Sequence, residues 1–189
     1  KYRVFGETLD MGVGNFIDSF ARYLGIAFPG GPEIEKKAKQ SRNFIELPYS
    51  IKGMDVSFSG IYTKLKQLYD KGFKIEDLSY SLQETAFAML VEAAERALAH
   101  TGKNELVLGG GVACNARLQE MCRIMCQERD ARYFCPAREF LVDNGAMIAF
   151  TGELMFNAGI RKKPERVDIK PRERTDDVPV VWRRTSYTP

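Results

Sequence analysis

The sequence predicts an α/β protein, on three observations. Apolar residues recur at helical spacing in several glycine-terminated stretches, short β-branched or aromatic runs lie between them, and one strand–Gly-Gly-Gly–helix succession occupies residues 105–129. The composition agrees: of 189 residues, 44% are hydrophobic and 28% charged, the make-up of a folded domain and not of a disordered chain. A chain of about 100–200 residues buries a sizeable core, so one domain or one lobe of a larger protein is expected. No run reaches the ~20 apolar residues of a membrane-spanning helix, so no membrane partner is expected.

Tyr2 to Phe5 reads as a short strand ending at Gly6. Val13, Phe16, Ile17, Phe20, Ala21 and Leu24 recur at helical spacing up to Gly25. Pro29-Gly30-Gly31-Pro32 is a turn, and Pro32 suits the first turn of a helix through Ile34 and Ala38. Phe44 to Phe58 holds short strand-like pieces broken by Pro48 and Gly53, and Gly60 to Tyr69 is helical. The longest helix runs from about Glu76 to His100, with Leu78, Leu82, Ala86, Met89, Leu90, Ala93, Ala94 and Ala97 as its core stripe. Gly102 ends it, as glycine does where the chain turns left-handed. Glu105 to Leu108 is then a buried strand, Gly109-Gly110-Gly111 a turn, and Val112 opens a helix reaching about Arg129. Ala131 to Cys135 is a further strand, and Asp143 and Asn144 cap a last helix ending at Gly159.

Cys114, Cys122, Cys126 and Cys135 contain no Cys-x-x-Cys pair. Cys122 and Cys126 share a helix face that would suit a metal pair, but their apolar setting beside Met121 and Met125 favours free core thiols in a reducing compartment. The expected location is therefore the cytoplasm, or the nucleus if the source is eukaryotic. With His100 as the lone histidine, no His-Glu-x-x-His site and no two-histidine metal site is complete within the chain. Charge is uneven. Residues 161–189 hold nine Lys/Arg against five Asp/Glu, a net +4, while the first 160 residues carry −1. The division expected is thus a lobe over 1–160 and a basic, Pro-punctuated tail over 161–189, headed by Arg161, Lys162 and Lys163, that would face nucleic acid or a partner protein or be simply solvated. The chain opens on Lys1 in structured-looking sequence, as a fragment of a longer protein would.

The candidate chemistry lies at the Gly109-Gly110-Gly111 turn. Glycines let a backbone approach a phosphate or adenosine, and the following helix start offers unpaired N–H groups and a positive dipole end. Asn115, expected in the first helical turn, would donate and accept there. A tight structural turn would use the same residues, and neither a Gly-x-Gly-x-x-Gly nor a Gly-Lys-Ser/Thr pattern is present. Asp18 reads equally as the exposed partner of Arg22 four residues on, Glu33 and Glu35 as an acidic first turn, and Asp143 as a helix cap.

Taken together, these segments resemble one family. Phe5-Gly6-Glu7-Thr8-Leu9-Asp10, Gly14-Asn15-Phe16-Ile17-Asp18 with Ala21-Arg22, and Pro29-Gly30-Gly31-Pro32 with Glu35 come first. Phe58-Ser59-Gly60, Gly109 to Asn115 with Arg117-Leu118, and Asp143 to Ala149 follow in the same order as in the tRNA N6-adenosine threonylcarbamoyltransferases, once described as O-sialoglycoprotein endopeptidases. Arg174-Thr175-Asp176-Asp177 with Trp182-Arg183 is similar to the archaeal and eukaryotic branch, the catalytic subunit of the KEOPS complex.

The resemblance implies a two-lobed fold related to actin, sugar kinases and heat-shock ATPases, of which this chain is the C-terminal lobe. The N-terminal lobe, with a His-x-x-x-His metal pair, is absent from the chain. It further implies that Asp18, Gly31, Glu35 and Asn115, with the Gly109–Gly111 turn, contact threonylcarbamoyl-AMP or ATP. Asp143 would be one ligand of a divalent metal, iron or zinc, completed by histidines outside the chain. The implied reaction moves a threonylcarbamoyl group to the N6 amine of the adenosine beside a tRNA anticodon, with tRNA, KEOPS subunits and a small Bud-type kinase, separate or fused, as partners. Two rivals stand beside it: a carboxylate or sugar kinase or ATPase of the same superfold, and a non-catalytic tRNA- or partner-binding scaffold.

Overall fold

The computed structural model describes residues 2–182. Residues 6–142 form one compact unit, and the described residues 2–5 and 143–182 form another.

In the larger unit α1 spans Val13–Tyr23 and buries Phe16, Ile17, Phe20 and Ala21, the stripe its spacing predicts. The chain turns at Gly25, whose φ of 77° only glycine adopts readily, and α2 follows over Gly30–Ala38. The expected Pro-Gly-Gly-Pro turn is shorter than the sequence implies: Gly30 and Gly31 are already helical, and Pro32 sits in the first turn, where its missing N–H costs nothing. A hairpin of β1 (Ile51–Lys52) and β2 (Asp55–Val56) realises the strand-like pieces. Then come α3 (Ser59–Asp70) and the 27-residue α4 (Ile75–Thr101), which Gly102 closes in the left-handed region.

The α4 helix is the axis of this unit. It packs against α2, α3 and β2, and Leu78, Leu82, Ala86, Phe87 and Met89 are all fully buried. Phe16 and Phe58 stack in the same core with ring centroids 5.4 Å apart. Because neighbours surround its N-terminal half, α4 also buries Ser79, Ser81, Gln83 and Thr85, which an amphipathic stripe does not foresee. Ser81 answers for its hydroxyl: Oγ accepts the Ile45 N–H at 2.8 Å and donates to the Asp77 carbonyl at 2.7 Å.

β3 (Glu105–Val107) pairs in parallel with β4 (Arg132–Phe134), and between them lie a 3₁₀ turn over Gly111–Cys114 and α5 over Ala116–Glu128. A short α6 (Arg138–Leu141) ends the unit. Helices and strands alternating in this way make the fold α/β. In the smaller unit α7 spans Gly145–Asn157 and buries none of its residues.

Four local expectations are corrected. Tyr2–Phe5 forms no strand; pairing begins after Gly6, where Val56 N–H donates to the Glu7 carbonyl at 3.0 Å and Leu9 N–H to that of Val56 at 2.9 Å. A strand exists where a partner edge does, and β2 offers one to residues 7–9. Gly6 is required there because a Cβ would stand 2.2 Å from the Met54 carbonyl oxygen. The strand read as buried has Leu106 and Leu108 turned partly inward, while Glu105 and Val107 are exposed, Val107 to 66%, since a two-stranded sheet covers one face only. The helix after the glycines starts at Ala116, not Val112. Finally, Asp18 and Arg22 form no ion pair among the described residues, because Asp18 has a stronger partner described below. The cysteines are free thiols as expected, and burial pushes that of Cys122 up to about 11.

One carboxylate stands out in this frame. Asp10 accepts the Phe58 and Ser59 N–H groups at 3.0 and 2.8 Å and the Ser57 hydroxyl, so it caps α3 from far along the chain. Partial burial alone would raise its pKa, but these hydrogen bonds outweigh it and hold the carboxyl well below the usual range. In the unfolded chain Asp10 takes its proton near pH ~3.9, whereas the folded chain keeps it charged to lower pH. Its stabilisation is therefore complete above the ordinary range and is lost as pH falls toward the native value. We expect Asp10→Asn to lower stability at neutral pH by about 1 kcal/mol, as loss of a cap does. In urea titrations the gap to wild type should hold down to about pH 5 and close below about pH 4; a gap independent of pH would show that the charge plays no part.

Candidate functional site

Helix N-termini expose unpaired N–H groups, and α1 and α2 each carry a carboxylate that reaches one. Asp18 Oδ1 accepts the Gly30 N–H at 2.9 Å, which caps α2 from α1. Glu35 Oε1 takes the Lys39 ammonium at 2.7 Å and makes a longer contact, 3.4 Å, with the Ala116 N–H at the start of α5. Each uses one oxygen, and Asp18 Oδ2 and Glu35 Oε2 carry no hydrogen bond among the described residues.

Asn115 stands outside the first helical turn, as the N-cap of α5. Its Oδ1 accepts the Arg117 and Leu118 N–H groups at 2.9 and 3.3 Å, and its Nδ2 donates to Gln83 Oε1 at 2.6 Å. One N–H of that amide remains for a ligand. Gln83, only 4% exposed, is a member that sequence reasoning missed. It lies three residues before Ala86 and seven before Leu90, so a polar residue interrupting the α4 stripe was the available signal. Arg117 is held by Glu84 through Nε and Nη2, both at 2.7 Å, and by Glu120, and the Glu84 bonds raise its pKa further.

The glycines divide into two kinds. A Cβ on Gly30 would lie 2.2 Å from Ala21 Cβ, so α1 and α2 meet only because residue 30 is glycine, a constraint the motif reading did not assign. At Gly31, Gly109 and Gly111 a Cβ would meet nothing within 4 Å. Gly110 needs its glycine for a φ of 86°. The protein thus has no steric reason of its own for glycine at 31, 109 and 111, and the space in front of them is open to a ligand's backbone approach.

Two cavities flank this region. One of about 620 Å³ takes in Asn15, Asp18, Arg22, Phe28 and Gly30. The other, of about 680 Å³, takes in Glu35, Gln83, Glu84, Ala116, Arg117 and Tyr133. Asp18 and Glu35 therefore line different hollows on the two sides of α2. Asp143 belongs to the smaller unit, where it is exposed; the cap of α7 is Asn144, whose Oδ1 accepts the Met147 N–H at 2.9 Å. Asp143 is thereby released from the capping role it shared with Asn144 in the sequence reading. Among the described residues no three His, Cys, Asp or Glu side chains come together as metal ligands, so the fit of a metal to this chain alone is poor.

The contrast between neighbouring glycines is testable. Gly30→Ala forces an overlap and should cost about 1–3 kcal/mol in urea denaturation. Gly31→Ala, in ordinary helical backbone with open space, should be neutral or stabilise by up to ~1 kcal/mol. Equal losses in both would mean that the crowding against Ala21 is not what fixes residue 30.

Comparisons bear on the fold and on the family. T. kodakarensis HypF superposes with a TM-score of 0.62 at 21% identity, over 76% of this chain and 20% of that one, which shows a shared α/β fold. A sequence model described as tRNA N6-adenosine threonylcarbamoyltransferase matches residues 1–150. Curated relatives of that name from Thermococcus kodakarensis and Archaeoglobus fulgidus are 58% and 53% identical over 96% of this chain and 56% of their own length. A Methanosarcina acetivorans relative, named a probable bifunctional tRNA threonylcarbamoyladenosine biosynthesis protein, is 55% identical over 96% of this chain and 33% of its own. The chain thus spans about half the length of several curated relatives it matches and a third of another. With a family model matching residues 1–150 and relatives of that name 53–58% identical over 96% of the chain, the chain belongs to the tRNA N6-adenosine threonylcarbamoyltransferase family.

Proposed function

We propose that this chain supplies the nucleotide-contacting part of an enzyme that transfers the threonylcarbamoyl group from threonylcarbamoyl-AMP to the N6 amine of the adenosine next to a tRNA anticodon. The observation that carries the reading is the open space in front of Gly31 and of the Gly109–Gly111 turn, together with half-committed acceptors on Asp18 and Glu35. Asp18 Oδ2 and Glu35 Oε2 suit ribose hydroxyls, and the spare Asn115 N–H suits an acceptor on the nucleotide. The 3₁₀ turn after Gly110 offers backbone N–H groups where phosphate oxygens approach. The family's two-lobed, actin-like architecture, with residues 1–160 in one lobe and the second lobe outside this chain, belongs to the same proposal.

In the reaction the N6 nitrogen bonds to the carbamoyl carbon, the bond from that carbon to the AMP phosphate oxygen breaks, and the amine loses one proton. This chain's part is to hold the departing nucleotide by ribose and phosphate, so that the carbonyl carbon faces the incoming amine in fixed orientation. Asp143 would give one oxygen ligand to an iron or zinc ion whose other ligands lie outside the chain. The described residues do not complete that centre, and no step is drawn through it. The bifunctional name of the Methanosarcina relative supports a second activity on one polypeptide, and we extend this to a kinase partner within a KEOPS-type assembly.

The tail joins the proposal as a tRNA- or partner-facing segment, with one revision. Arg161 lies 3.4 Å over the Phe156 ring and donates to the Phe156 and Ile160 carbonyls, so it caps the C-terminus of α7. Lys162 and Lys163 are the cations of that run left to meet phosphate.

The test joins this chain to the preceding half that its relatives have, and supplies threonylcarbamoyl-AMP with a tRNA transcript. We expect the mass of the modified adenosine in the joined protein, no transfer by this chain alone, and at least a hundredfold loss with Asp143→Ala, roughly the scale of losing a ligand contact worth ~3 kcal/mol. ATP turnover on a small hydroxy acceptor without tRNA would establish the kinase reading instead. Salt-dependent tRNA binding without nucleotide affinity would establish the scaffold.

A further inference from the structure

We propose that the outer face of α3 and the turn after it is an RNA-binding surface, separate from the glycine turn and from the tail. The inference rests on the tRNA reading above and names where the larger unit would hold that RNA.

Lysines on the helices of this unit meet different fates. On α2 and at its C-terminal cap, Lys36, Lys37 and Lys39 each lie against a carboxylate, from Glu33, Glu76 and Glu35 at 3.9, 2.9 and 2.7 Å. Lys64, Lys66 and Lys71 form no ion pair among the described residues. The one acid in residues 59–72 is Asp70, which accepts the Tyr23 hydroxyl at 2.7 Å. The Lys66 ammonium instead stands over two aromatic rings, Tyr62 at 4.7 Å and Tyr23 at 5.5 Å. Tyr23 is 40% exposed.

Cations without a carboxylate partner beside part-exposed tyrosine rings are what a sugar–phosphate chain with unstacked bases requires, a base taking the place of Lys66 over the ring as that ammonium moves to a phosphate. The ammonium groups replace condensed counterions at phosphates, and each ring offers a stacking platform. An acidic protein would use the charges but would have no need of the rings. The net charge of −1 over the first 160 residues conceals this patch, because the balancing carboxylates stand on other helices.

The experiment measures binding of a fluorescent tRNA transcript to the purified protein by anisotropy, from about 50 to 200 mM KCl. The triple variant Lys64→Gln, Lys66→Gln, Lys71→Gln alters exposed or half-buried side chains only, and an unchanged thermal midpoint confirms that it folds. We expect it to flatten the dependence of log K on log salt by about 2–3, at ~0.7–0.9 per phosphate contact, whereas Lys36→Gln leaves the slope within error. Tyr62→Leu should weaken binding by about tenfold with the slope intact, and Tyr62→Phe should retain it. Tight tRNA binding with an unaltered slope in the triple variant sinks this surface and leaves the transferase reading standing. No tRNA binding by the unaltered protein sinks the surface as well. Polyglutamate displacing tRNA, with Tyr62→Leu behaving as wild type, would assign the face to an acidic protein and overturn the proposal. Failure of transfer in the joined protein, with this slope effect present, would instead count against the transferase reading alone.

Discussion

The larger unit depends on carboxylates that reach across the chain to the N-termini of helices they do not belong to. Its helices α1, α2, α3, α4 and α6 have no side-chain hydrogen bond from their own N-cap residue, and only α5 is closed locally, by Asn115. Asp10 supplies the missing acceptor for α3 and Asp18 that for α2, while Glu35 leans more loosely on α5. Each such bond joins a negative group to a positive helix end and satisfies an orphan N–H at once. It also fixes the position of one helix against another, because the acceptor and the donor stand on different elements. The helices that surround α4 are therefore tied at their starting ends as well as through their apolar sides.

This arrangement gives the candidate site its character. Asp18, Glu35 and Asn115 occupy the fold with one part of each side chain and leave another part open: one oxygen, one oxygen and one N–H. A ligand that meets these groups meets two acceptors and a donor already held by the fold, so little side-chain freedom is lost on binding. The same economy makes stability and affinity inseparable at these positions, since removing the side chain deletes the cap together with the contact. Gly31 is different. A Cβ there would meet nothing within 4 Å, whereas one on Gly30 would run into Ala21.

What the sequence made legible follows the range of the interactions involved. The α1 stripe, the length of α4 and its stop at Gly102 depend on residues within a few turns of one another, and they were readable. So was the α/β class. The start of α5 was not, because Val112 and Ala113 continue the apolar pattern through a 3₁₀ turn, and the Asn115 cap that breaks it looks in sequence like a residue of the first helical turn. Asp18 was read with Arg22 because four residues is the distance that helix geometry makes visible, yet its partner is Gly30, twelve positions on. The alternation in Tyr2–Phe5 looked like a strand, but only β2 could decide which residues pair, and it chose 7–9. Of the site, the glycine turn and the identities of its polar residues came from motif order; their division between two cavities and their capping duties required coordinates.

Charge illustrates the same lesson at the scale of the surface. A net charge counts side chains and is silent about where they stand, but a field depends on position. In this unit several carboxylates are held at helix starts or against lysines and arginines of α2, α4 and α5, where nearby positive groups offset them. Asp77 is a further case, its carboxyl held low by bonds from Ser41 and Asn43 in the first turn of α4. The lysines of α3 are left without such partners, so a stretch of formally near-neutral sequence presents a positive face. The interaction that orders the helices thereby also separates the charges: acids drawn to helix ends leave bases outward, and an anionic polymer would encounter the second group before the first.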